Sequence, residues 1–206
     1  MKLSGDKFNL PNMISYLRII LIPFIIYFLK MKSVEYLIYS LVLFMFASFT
    51  DLVDGWIARK LKQESEFGRF IDPIADKFLV IASLFAIITI DPYFEILDYW
   101  MIIIIAGRDI LITVMRILAI KKEKQLQTSN FGKFKTAFQM LSIVIIIMIY
   151  MSKRSGFFVT HESVPYYIML AVTLMTAFSG VRYIITNWQL FFPEKKSYKK
   201  SYMDEK

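Results

Sequence analysis

Residues 51–76 read DLVDGWIARKLKQESEFGRFIDPIAD. Four aspartates of this stretch, Asp51, Asp54, Asp72 and Asp76, lie within otherwise apolar helical segments, where charge is expensive unless it is neutralised. Asp51 and Asp54 are three residues apart, and Asp72 and Asp76 four, so each pair projects from one face of its helix. The Leu61 to Phe67 connection is short, which makes the two helices antiparallel neighbours and lets their carboxylates converge. Gly55, Ala58 and Gly68 are the small residues that allow backbones or a ligand to come close. Gathered acids call for a positive partner, and hard divalent cations suit an all-oxygen donor set. Two Mg2+ or Mn2+ ions about 3.5–4 Å apart clamp a displacement at phosphorus. Helix-end salt bridges with Arg59, Arg69 and Lys77 are the plainer alternative, but these need no glycines at the packing positions.

Outward from this stretch the 206-residue chain is 57% hydrophobic, with a mean hydropathy of +0.52. That composition predicts an all-α integral membrane protein. Apolar segments run from about Met13 to Leu29, Tyr36 to Ile57, Phe70 to Ile90, Tyr99 to Ile120, Phe134 to Met151 and Pro165 to Trp188. Each approaches the ~20 residues that cross a bilayer, so six transmembrane helices are expected. The polar start MKLSGDKFNLPN predicts a short N-terminal interfacial segment, with Pro11 opening the first helix at Asn12 or Met13. Residues 1–192 are expected to form one membrane domain, and the charged stretch 193–206 a cytoplasmic tail. Bases gather in alternate connections: Lys2 and Lys7; Arg59, Lys60, Lys62 and Arg69; Lys121, Lys122 and Lys124; Lys195 onward. The opposite side holds Lys30, Lys32, Lys153 and Arg154, and its middle loop has Asp91, Glu95 and Asp98 and no base, so both termini are expected to face the cytoplasm. Arg59 follows Asp51 by about 12 Å of helix rise, which puts the acids near the cytoplasmic boundary.

Other chemistries recede. The chain has no cysteine, which excludes disulfides, thiolate nucleophiles and zinc–thiolate sites. Its single histidine, His161, lies in a polar stretch and reads as a loop residue. The net charge of +8 is that of a protein bordering anionic lipid headgroups, and nucleic acid is not an expected partner. Trp56, Trp100 and Trp188 near span ends fit an interfacial belt. Further bases lie in apolar context: Arg108 and Arg116 on the fourth helix, expected on a face turned from lipid, and Lys133 and Lys135 at the start of the fifth. Together they suit a phosphomonoester dianion, with Thr136 as a further hydroxyl donor; the lysines also fit ordinary positive-inside residues. Arg18 and Arg182 are intramembrane bases whose role, binding or structural, stays open.

The stretch 51–76 resembles the signature of the CDP-alcohol phosphotransferases. Asp51, Asp54, Gly55, Ala58, Arg59, Gly68, Asp72 and Asp76 all fall at its spacing, D-x2-D-G-x2-A-R-x8-G-x3-D-x3-D. NLPNMISYLR in the first helix, DPIADKFLV, GRDI with Arg116 eight residues after Arg108, and FGKFKTAFQM at 131–140 are similar to the phosphatidylglycerophosphate synthase branch. Asp109 stands where that branch more often has Glu, and Ser15 where Thr is usual. The resemblance reaches about Trp188. It implies a six-helix membrane enzyme, usually a homodimer, with its active site at the cytoplasmic face and two divalent cations. Asp51 and Asp72 would touch both ions, Asp54 the first, and Asp76 the second while acting as general base. Gly55, Arg59, Ser65 and Asn12 would hold the CDP-lipid. Transfer of a phosphatidyl group from CDP-diacylglycerol to glycerol 3-phosphate, releasing CMP, is the expected reaction, with Arg108, Arg116, Lys133, Lys135 and Thr136 on the acceptor phosphate. The alternatives are the same chemistry on another acceptor (a cardiolipin, phosphatidylinositol phosphate or phosphatidylserine synthase) and, from a different class, a membrane cation transporter.

Overall fold

Long runs of Ile, Leu, Phe and Met, broken by few glycines or prolines, satisfy their backbone hydrogen bonds within the segment, and the chain folds accordingly into helices. The computed structural model describes residues 10–61, 66–90, 97–121, 130–157 and 161–191. They form six helices: α1 (Leu10–Lys30), α2 (Val34–Leu61), α3 (Glu66–Ile90), α4 (Tyr99–Lys121), α5 (Asn130–Ser155) and α6 (Val164–Phe191). The N-terminal interfacial segment, the 193–206 tail and most of the Leu61 to Phe67 connection lie outside the described residues. Four helices, α1, α2, α5 and α6, are long and apolar enough to cross a bilayer. α3 and α4 carry the charges of the functional region, Asp72, Asp76 and Lys77 on one, Arg108, Asp109 and Arg116 on the other.

The helices outrun the apolar segments that announce them. α1 starts at Leu10, which puts Pro11 inside the first turn, where its missing N–H leaves no bond unmade. α3 begins at Glu66 rather than Phe70, and α5 spans Asn130–Ser155 rather than Phe134 to Met151. Helical hydrogen bonding continues past the apolar boundary, because long basic side chains keep their charge in water while their stems cover apolar surface. α5 stops in a left-handed turn at Gly156, φ 69°, with Gly156 N donating to Lys153 O and Phe157 N to Ser152 O, both at 3.3 Å. Arg154 Nε donates to Lys32 O at 3.0 Å and ties this end to the connection between α1 and α2.

α1 packs on two neighbours. Among the described residues it lies against both α2 and α3, which share little contact with each other. Direct packing of α2 on α3 is expected beside their connection, whose flanking side chains lie outside the described residues, and α1 lies against both helices. Its buried stripe, Asn12, Ser15, Arg18, Ile22, Ile25 and Leu29, recurs every three or four residues and changes from polar to apolar along its length. The apolar half joins Phe44 of α2, Leu79 and Leu84 of α3, Met101 and Ile105 of α4, and Ile143 and Ile146 of α5 in one core. α6 closes the bundle against α4 and α5. Outward faces remain apolar, as at Phe24, Ile103 and Ile185, which suits contact with acyl chains.

Candidate active site

The polar half of the α1 stripe reaches the two acidic helices. Ser15 Oγ donates to Asp72 Oδ1 of α3 at 2.5 Å, and Arg18 Nη1 to Asp51 Oδ1 of α2 at 2.7 Å. Three residues separate Ser15 from Arg18, one helical turn, so a single face of α1 brackets acids from both neighbours. Arg18 has no exposed surface, whereas the side chain of Asp51 is 26% exposed, so the guanidinium holds the carboxylate from the protein side and leaves it open on the other. Asp76 lies one turn beyond Asp72 on α3. Its Oδ2 is 3.8 Å from Lys77 Nζ, and its Oδ1 is buried without a hydrogen-bond partner among the described residues. Asp76 also lies within the electrostatic reach of Asp51 and Arg18, so the carboxylates of α2 and α3 form one field.

Among the described residues no three acids are gathered closely enough to hold a cation by themselves, and the unpartnered oxygen of Asp76 is what speaks for one. A buried carboxylate oxygen with nothing to accept from is costly, and a hard cation is the partner that oxygen donors of several acids satisfy at once. Asp51, Asp72 and Asp76 are the described acids that would hold it. The side chains of Asp54, Gly55 and Arg59 lie outside the described residues, though their backbone belongs to α2, and Ser65 lies outside them altogether. Asn12, buried on the same face of α1 as Ser15 and Arg18, stands one turn from the acidic cluster.

A second polar cluster joins α4, α5 and α6. Asp109 Oδ1 accepts from Arg108 Nη1 and from Lys135 Nζ, both at 2.8 Å, and its Oδ2 accepts from Lys135 at 3.1 Å. Arg108 Nη2 donates to Ser179 Oγ of α6 at 2.7 Å. Lys135 is buried, and Thr136 beside it is half-buried. Arg116, two turns beyond Arg108, is exposed on the surface of this chain, as is Arg182. The Lys133 side chain lies outside the described residues. The two clusters adjoin: Asp109 acts electrostatically on Asp76, and Lys77 on Lys135. An acidic site suited to cations thus borders a cationic site suited to an anion.

Asp109, Ser15 and Ser179 carry contacts that the sequence reading did not assign, and Arg18 a role it left open. An acid beside an arginine inside an apolar helix is a recognisable signal, because burying either alone is costly. Ser15 and Ser179 give no such signal, since serines in membrane helices commonly bond their own backbone.

Known proteins agree with the family resemblance of the sequence. Residues 8–192 match the pattern that defines the CDP-alcohol phosphatidyltransferase family. The chain is 37% identical over 148 residues to a CDP-diacylglycerol–glycerol-3-phosphate 3-phosphatidyltransferase of Wigglesworthia glossinidia brevipalpis, covering 68% of this chain and 78% of that protein. It is 36% identical over 141 residues to the protein of that name in Haemophilus influenzae, covering 66% and 74%. With its namesake in Bacillus subtilis it shares 32% over 195 residues, 88% of this chain and 96% of the relative. With the acids held by α1 at one end of the bundle and a match over nearly its whole length, the chain belongs to the CDP-alcohol phosphatidyltransferase family.

Proposed function

We propose that this protein transfers the phosphatidyl group of CDP-diacylglycerol to sn-glycerol 3-phosphate, yielding phosphatidylglycerophosphate and CMP, at the cytoplasmic face of the cell membrane. The observation that carries the reading is the adjacency of the two clusters: acids for cations on α2 and α3, and buried bases on α4 and α5 for the phosphomonoester that the acceptor brings. The relatives' names agree with that acceptor.

In this reaction an acceptor hydroxyl oxygen forms a bond to the lipid-side phosphorus, and the bond between that phosphorus and the oxygen bridging to CMP breaks. Asp76 takes the hydroxyl proton; its buried, unpartnered Oδ1 is the atom suited to it. Asp51, Asp54, Asp72 and Asp76 are the ligands proposed for two divalent cations, Mg2+ or Mn2+. Bound there, such ions neutralise charge on the pyrophosphate and on departing CMP. Arg18 and Ser15 hold Asp51 and Asp72 in position. Arg59, Gly55, Ser65 and Asn12 hold the CDP portion, with the guanidinium of Arg59 offering a planar fork to phosphate. Arg108 and Lys135, with Arg116, Lys133 and Thr136, receive the acceptor phosphate. No covalent enzyme intermediate is required.

The proposed topology has six spans, both termini cytoplasmic and two copies associating as a homodimer. All six helices are long enough to span: α3 and α4, with 25 and 23 residues, rise about 37 and 34 Å. Asp76 and Asp109 turn their carboxylates toward the bundle, as intramembrane charges do. A transporter would distribute its acids along a path through the membrane, whereas here Asp51, Asp72 and Asp76 share one field beside a basic cluster that repels cations.

The test is CMP release by purified protein in CDP-diacylglycerol micelles with Mg2+ or Mn2+, across a panel of acceptors. Turnover with glycerol 3-phosphate, and far less with serine, inositol phosphate or phosphatidylglycerol, is the expected result. Turnover with one of those acceptors and none with glycerol 3-phosphate overturns the assignment. A chain that binds the cation but neither CMP nor CDP supports a transporter.

A further inference from the structure

We propose that Asp109 is a positioning residue of the acceptor site: its carboxylate gathers Arg108 of α4 and Lys135 of α5 into a single cradle for the acceptor's phosphomonoester. This rests on the reading of those bases given above and deepens it. Two cations donating to one carboxylate oxygen at 2.8 Å each repel one another, and only the anion between them keeps them together. Asp109 is 6% exposed and Lys135 2%, so water does little to screen that repulsion. Two cations and one anion leave the cluster a single positive charge, enough to attract phosphate without burying two uncompensated bases.

The frame is completed from α6. Ser179 fixes the second Nη of Arg108, and a Cβ on Gly180 would come within 2.8 Å of Arg108 Cγ, so the glycine is what lets the arginine stem lie across α6. An obstruction at Cγ cannot be relieved by swinging the far end of the side chain, and it would displace the whole guanidinium. Arg108 Nε is buried with no hydrogen-bond partner among the described residues. A donor held in place from α4 and α6 and left without an acceptor is a donor waiting for a ligand oxygen. A salt bridge serving only to join α4 to α5 would need neither the Ser179 contact nor this open N–H.

Steady-state kinetics on the full chain in CDP-diacylglycerol micelles separate the alternatives. For Asp109→Asn the expected result is a rise of about tenfold or more in KM for glycerol 3-phosphate, with KM for CDP-diacylglycerol within about twofold of the parent, and recovery in Asp109→Glu. Gly180→Ala is expected to raise the acceptor KM severalfold and to leave the CDP-diacylglycerol KM alone. An unchanged acceptor KM in Asp109→Asn, or equal changes in both constants, overturns the proposal. Should Asp109→Asn fail to fold, Gly180→Ala decides: an unchanged acceptor KM there overturns it equally. Lys135→Met distinguishes the two levels of the argument. If it leaves the acceptor KM unchanged, the acceptor site itself is misassigned; if it raises that KM while Asp109→Asn does not, Asp109 alone loses its role.

Discussion

Arg18, fully buried, donates to Asp51 at 2.7 Å, and Ser15 donates to Asp72 from the same face of α1. Charge-assisted hydrogen bonds of this kind are about twice as strong as neutral ones, so each acid is fixed on one oxygen. Asp76 differs from both. It has no such bracket from α1, and its Oδ1 is buried without a hydrogen bond among the described residues. That contrast separates holding from reacting. Asp76→Asn is therefore expected to lower turnover by about 100-fold or more, the range for a lost general base, while CDP-lipid binding persists. Asp51→Asn is expected to lose divalent-cation and nucleotide binding together, read by calorimetry with Mn2+ and CDP. Equal and mild effects from the two changes would remove the division of roles.

At the scale of elements, helix ends and helix order follow different physics. The end of α5 is set locally: Gly156 at φ 69° admits the left-handed turn that satisfies the last carbonyls of the helix. A β-carbon there costs about 1–2 kcal/mol. Gly156→Ala should accordingly lower the unfolding midpoint in detergent and leave both KM values unchanged; an unchanged midpoint contradicts the account of this turn. The existence of all six helices was legible in the spacing of apolar runs, as was the shared face of Asp72 and Asp76. Their order in the bundle was not. Hydrophobic runs bury on every side in a membrane, so they carry little of the periodicity that tells a soluble helix which face meets which neighbour. The short link from α2 to α3 suggests direct packing, whereas the bracket that α1 puts on both helices through Ser15 and Arg18 gave no signal in the sequence. Asp109 was likewise written in the sequence as an acid in an apolar helix, but its partner Lys135 is 26 residues away on another helix, a pairing no local spacing encodes.

For the molecule as a whole, the chain divides along the helix axes into an apolar part, where α1 to α5 share one core, and a polar part, where the acids of α2 and α3 border the bases of α4 and α5. Such an arrangement stabilises each half differently. Apolar packing holds the helices together irrespective of ligand, whereas the charged half is completed by what binds there. The most direct measurement is a structure of the protein in lipid with Mn2+ and CDP, read for anomalous scattering from the metal. The account predicts manganese signal between the carboxylates of α2 and α3, within coordination distance of Asp51, Asp72 and Asp76 and next to the pyrophosphate. A well-ordered nucleotide complex with no metal signal at those side chains, or with the carboxylates turned toward the acyl chains, would contradict it.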